Sequence, residues 1–157
     1  MLLVLLTANG AATGATLPHW TGRVIHVVDG DTLDVLAGKQ RIRVRLIEID
    51  APENGQLESI RARQSLIQIC GGEIATVESS GRDRNGWVLA RISCNGIDAN
   101  AEQVRRGMAW VFDGYAKLDS PLYALQEEAR SAGRGLWAQK EPVPPWEWRR
   151  RHAHYGP

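Results

Sequence analysis

Between residues 20 and 49 apolar and polar side chains alternate across two tight turns, and few folds other than a β-meander satisfy that pattern. Residues 20–28 are rich in Val, Ile and Thr, and Asp29-Gly30-Asp31 is a turn signal. Over 32–37, Leu33, Val35 and Ala37 alternate with Thr32, Asp34 and Leu36. Gly38-Lys39 turns the chain again. Residues 40–49 then set Ile42, Val44, Leu46 and Glu48 against Arg41, Arg43, Arg45, Ile47 and Ile49. Pro52 stops this third strand, because it lacks an N–H and biases the residue before it away from helix.

The pattern then changes period. In 57–70, Ala62, Leu66 and Ile69 recur at helical spacing, with Ile60, Ile67 and Cys70 beside them, and Gly71-Gly72 is a stop. Residues 74–79 and 87–93 read as the fourth and fifth strands, joined by a polar loop, and Asn95-Gly96 is a hairpin signal. A short helix follows over 100–106, with Asn100 as its N-cap and Gly107 as its stop, and a third helix over 121–132. PVPPW at 142–146 reads as a stiff extended tail. Five strands with a helix inserted after the third predict an α+β fold, a five-stranded OB-type Greek-key barrel with three helices. The expected division is 1–19 as a signal peptide or N-terminal extension, 20–140 as the folded domain and 141–157 as a Pro/Trp/Arg-rich tail.

Length and charge narrow the class. A chain of 157 residues with a net charge of +1 has room for one core but no strong overall field, so a polyanion must be held by a local patch. The basic run Arg149, Arg150, Arg151, His152 reads as a solvated tail rather than a groove. The first residues are apolar, then small, with no charge before Arg23, the size of a signal-peptide core and cleavage zone but without a basic leader. The expectation is export to a periplasm or the medium, with no stable membrane span. Cys70 and Cys94 are the only cysteines; one disulfide and two reduced core thiols are both open.

The chemistry sits at strand ends. Asp31 follows a glycine turn and Asp50 closes the third strand, so a meander brings the two carboxylates to one end of the sheet. Two carboxylates with a backbone carbonyl make a sparse oxygen site for Ca²⁺, completed by water and phosphate. Arg45 suits bidentate contact to phosphate, and Glu53 is placed to hold or deprotonate a water. Each has a plainer role available. Asp-Gly-Asp is often only a turn, Asp50 could end a strand by an Asx hydrogen bond, and Arg45 could be one of three surface arginines.

Taken in order, VDGDT at 28–32, RLIEIDAPE at 45–53, GIDANAEQVRRGMAW at 96–110 and ARSAGRGLW at 129–137 resemble the staphylococcal nuclease, or thermonuclease, family over roughly residues 20–140. The resemblance implies a Ca²⁺-dependent nuclease of DNA and RNA on an OB-type barrel with three helices. It implies that Asp31 and Asp50 are the metal carboxylates, that Ala51 gives its backbone carbonyl, that Glu53 handles water and that Arg45 binds phosphate. Tyr115 falls where the family has an aromatic near the nucleotide.

One segment departs from the family. Its second phosphate-clamping arginine falls on Trp87 in DRNGWVLA at 83–90, and its tyrosine on Asn85. An indole has one N–H, no charge and no fork. Arg84 or Arg82 could swing back into the gap, whereas Arg91 would lie about 13 Å along the strand. Trp87 could instead stack a base or simply pack. Two functions follow: a monomeric nuclease acting on single-stranded DNA or RNA with little sequence preference, weakened at its clamp, or a catalytically impaired domain that binds nucleic acid or a protein partner.

Overall fold

The computed structural model describes residues 19–153, so the expected signal segment lies almost wholly outside the described residues. β1 (His19–Val27), β2 (Thr32–Ala37) and β3 (Gln40–Leu46) form the expected antiparallel meander, with Thr32 opposite Arg45 and Val35 opposite Ile42. β4 (Ile49–Asp50) and α1 (Ser59–Cys70) follow, then β5 (Ile74–Arg82) and β6 (Val88–Cys94). β5 pairs with β1 and with β6, and β6 closes the circuit by pairing parallel to β3. The result is the expected five-stranded barrel of OB type, with Leu33, Val35, Val44, Val77 and Ile92 fully buried inside it.

The third strand is shorter than its alternation suggests. It ends at Leu46, and Glu48 takes a left-handed φ of 67°. That one turned residue breaks the period of two, so Ile49 and Asp50 are both buried. They form β4, which pairs with β8 (Trp110–Val111), Asp50 lying opposite Trp110. Between these strands run β7 (Ile97–Asp98) and α2 (Ala99–Arg105).

The cap of α2 is Asp98, not Asn100: its side chain accepts from the Ala101 N–H at 2.9 Å. Asn100 is buried at the β3–β6 seam instead. It accepts from the Ile92 N–H and donates to the carbonyls of Ile47 and Ala90, the latter also accepting from the Ile47 N–H at 2.9 Å where β3 ends. α1 buries Ala62, Leu66, Ile69 and Cys70 as expected, while Ile60 and Ile67 face away and are exposed. Cys70 and Cys94 are bonded to one another, tying α1 to β6. Closing a loop of that length stabilises a fold by about 3 kcal/mol.

The C-terminal segment differs most from expectation. After α3 (Leu122–Ser131) and a 3-10 turn at Gly135–Ala138, the extended stretch is brief. α4 (Pro145–His152) then begins with Pro145 at its first position, where a missing N–H costs nothing. Among the described residues there are thus four α-helices rather than three. α4 is docked: Trp146 meets Trp110 and Phe112 with ring centroids 5.8 Å away, and Trp110 meets Trp137 edge-on at 4.4 Å. Gln56 Nε2 donates to the Val143 carbonyl at 2.8 Å, tying the loop after β4 to the start of α4.

Two features hold the barrel end where the acids lie. Asp34, 1 % exposed, accepts from Arg41 at 2.6 Å and from Arg43 at 2.9 Å and lies 3.3 Å from His26 Nδ1. Burial opposes its ionisation, but the hydrogen bonds from Arg43, Arg41 and His26 outweigh it and hold the carboxyl down to about 2. Gly30 lies against α1 with no room for a side chain, since a Cβ there would come within 2.7 Å of the Cβ atoms of both Ala51 and Ala62.

Asp34→Asn is therefore expected to lose on the order of 2 kcal/mol at pH 7. Because the folded pKa lies below the unfolded one, this stabilisation is complete above about pH 4 and disappears as pH falls towards 2. Urea melts of both proteins across that window should converge. Gly30→Ala should cost about 1–3 kcal/mol by overpacking, read as a lower urea midpoint.

Candidate active site

The β1–β2 turn, the β4 strand and the loop after it meet at one end of the barrel. The Asp31 carbonyl accepts from the Leu46 N–H at 2.8 Å, which fixes the turn beside the end of β3. Its carboxylate accepts from the Ala51 N–H at 2.7 Å and from the Thr32 hydroxyl at 2.8 Å. Gln103, buried, donates to the carbonyls of Gly30 and Ala62 and holds the turn from behind. Asp50 is 1 % exposed on β4. Arg45, next to Thr32 in register, reaches across with Nη2 3.2 Å from Asp50 Oδ1 and Nε 4.0 Å from Asp31.

Asp31 is electrostatically crowded. Burial raises its pKa well above the carboxylate range, the charges of Asp29 and Asp50 push it further, and Arg45 and the Ala51 N–H offset only part. Two buried oxygen donors with surplus negative charge suit a hard cation of few protein ligands. Among the described residues no group of three or more His, Cys, Asp or Glu side chains converges as a metal cage.

Above the acids opens a cavity of about 530 Å³. Arg45 and Glu53 line it, as do Arg84, Trp87 and Tyr115. The residues singled out in the sequence for water, phosphate and base therefore line one opening, while Asp31 and Asp50 lie buried behind Arg45. Arg82 and Arg91 do not join them. Arg82 donates to the Gly86 carbonyl at 2.7 Å, and Arg91 pairs with Glu48 at 2.5 Å on another face. Trp87 is half-buried: its ring carries the Arg43 guanidinium at 5.3 Å and its backbone N–H donates to Asp83 at 2.9 Å.

The residue the sequence did not single out is Arg149. From α4 it donates to Asp50, Nη2 to Oδ2 at 2.8 Å and Nη1 to Oδ1 at 3.2 Å, and it also pairs with Glu53. The basic run at 149–151 is therefore not simply a solvated tail, for one of its arginines lines the cavity. Only the docking of Trp146 decides which arginine turns inward. A run of three arginines after PWEW carries no such mark.

Arranged in this way, the site sets two buried acids beside two guanidinium groups and the accessible carboxylate of Glu53. Comparison with known proteins identifies the family. Residues 43–139 match the family described as "Staphylococcal nuclease homologue". A protein of Escherichia coli named "Uncharacterized endonuclease" is 41 % identical over 131 residues, covering 83 % of this chain and 85 % of that one. The "Micrococcal nuclease" of Shigella flexneri is 39 % identical over 148 residues, covering 86 % and 85 %. "Protein ParB" of Escherichia coli is 38 % identical over 146 residues, covering 85 % and 82 %. The chain belongs to the staphylococcal nuclease homologue family.

Proposed function

We propose that the protein is a calcium-dependent nuclease that hydrolyses phosphodiester bonds of DNA and RNA with little sequence preference, favouring single strands. The observation that carries this is that Arg45 and Glu53 line one cavity while Arg45 reaches the buried Asp50 at 3.2 Å and lies 4.0 Å from the buried Asp31. The names of its relatives, endonuclease and micrococcal nuclease, agree with it. Asp31 and Asp50 hold the ion, with the Ala51 carbonyl as a third donor. A bound calcium ion supplies Lewis-acid polarisation of the phosphoryl oxygen. Glu53, 38 % exposed and beside Asp50 through their shared partner Arg149, orients the attacking water and takes its proton. Arg45 grips the phosphate by two N–H groups. Trp87 and Tyr115 border the same cavity and offer faces on which unpaired bases stack.

The disulfide supports an exported protein, since such bonds persist in oxidising compartments. No helix among the described residues is long and apolar enough to cross a membrane. A second reading, a binding domain without turnover, is favoured by Trp87 alone, which puts no charge where the family resemblance implies a clamp.

Digestion of single-stranded DNA in a calcium titration, with Glu53→Gln beside the parent, separates the two. The parent should cleave only with calcium, and the variant at least 100-fold more slowly; equal rates in the two would sink the nuclease reading. Asp31→Asn relieves the crowding of buried acids. It should melt a few degrees higher than the parent in chelator, by differential scanning fluorimetry, while losing the calcium response.

A further inference from the structure

Arg149 lies outside residues 43–139, the stretch matching the family, yet it reaches the centre of the site. Asp50 Oδ1 lies 3.2 Å from Arg45 Nη2 and 3.2 Å from Arg149 Nη1, so two guanidinium groups converge on one carboxylate oxygen and face one cavity. We propose that Arg149 is a phosphate-binding residue of the reaction: α4 delivers the second guanidinium that grips the scissile phosphodiester, in a cavity where Trp87 offers none. This rests on the nuclease reading above.

Charge and placement support it. Asp29, Glu53 and Asp83 around the cavity and Asp31 and Asp50 beneath it outnumber Arg45, Arg84 and Arg149, and Arg45 and Arg149 are shared between the rim and the buried Asp50. A cation held by Asp31 and Asp50 would neutralise them and compete with both arginines for the Asp50 oxygens, which would leave Arg45 and Arg149 with N–H donors for an anion in the cavity. The side chain of Arg149 is 40 % exposed, so it is open to an incoming phosphate while its stem stays fixed. Trp146 against Trp110 and Phe112 anchors α4, so the donor is positioned before substrate arrives. A planar fork satisfies two phosphate oxygens at once, which neither an indole nor an ammonium does.

Four variants test this: Arg149→Ala, Arg149→Lys, Arg149→Ala with Trp87→Arg, and Arg151→Ala as a control on the same helix, whose side chain pairs with Glu147 outside the cavity. Each is first matched to the parent by thermal melting. Arg149→Ala should slow calcium-dependent cleavage of single-stranded DNA on the order of 10²–10³-fold, with Arg149→Lys recovering little. With calcium present, and Glu53→Gln in both proteins to stop cleavage, anisotropy of a fluorescent oligothymidylate should show weaker binding for Arg149→Ala. The log Kd–log salt slope should flatten by about 0.7, the loss of one phosphate contact. Trp87→Arg restores a guanidinium to the same cavity, so the double variant should regain at least tenfold in rate. Arg151→Ala should match the parent.

Faster cleavage by Arg149→Ala would show that the arginine locks the acids, and would overturn the proposal. So would an unchanged salt slope, or a loss of activity that Trp87→Arg does not repair, since a helix-docking role predicts both. The binding arm needs no turnover. A parent that never cleaves but binds through Arg149 would sink the nuclease reading and leave the phosphate contact standing.

Discussion

Everything at this end of the barrel depends on one hydrogen bond, from the Ala51 N–H to the Asp31 carboxylate at 2.7 Å. It joins the β1–β2 turn to the residue after Asp50 and so holds two acids together that repel one another. The barrel bears the cost. β3 closing on β6, β4 pairing with β8 and Gln103 bracing the turn leave the carboxylates no way to separate. Crowding of this kind destabilises a fold and is retained where it serves a ligand, which under the proposed function is a divalent cation.

The arginines answer that crowding. Arg45 comes from the barrel itself and Arg149 from a helix that the barrel does not need in order to close. A site compensated by partly exposed guanidinium groups differs from one compensated by a buried ion pair, because these groups already face a cavity open to an anion. Trp87 belongs to the same economy of space: it covers Arg43, itself held by Asp34, so the polar face of the meander is tied through one stack to the rim of the cavity.

Much of this was legible in the residues. Asp31, Arg45, Asp50 and Glu53 sit beside turn and strand signals that fix their place along the chain, and the alternation of β2 and β3 places Arg45 in register with Thr32. The end of β3 was not legible, because a single left-handed residue, Glu48, changes the phase without altering composition. Asn100 looked like a cap because Asn favours caps. The main-chain groups of the β3–β6 seam, invisible locally, claimed it instead. The prolines at 142–145 suggested extension, yet a proline at the first position of a helix is as well satisfied there as in a tail.

By itself the sequence determined the barrel, the order of its strands and the acids and arginine at its open end, since these rest on local periodicity and turn chemistry. Only the tertiary structure decided that Cys70 meets Cys94, that Arg82 and Arg91 turn elsewhere, and that Arg149 enters the site. Those outcomes depend on contacts between residues distant in the chain: Arg149 stands 99 residues from Asp50, and no local pattern encodes such a pairing. The docking of Trp146 against Trp110 brings them together, because burying those rings leaves the helix one face to turn towards the acids.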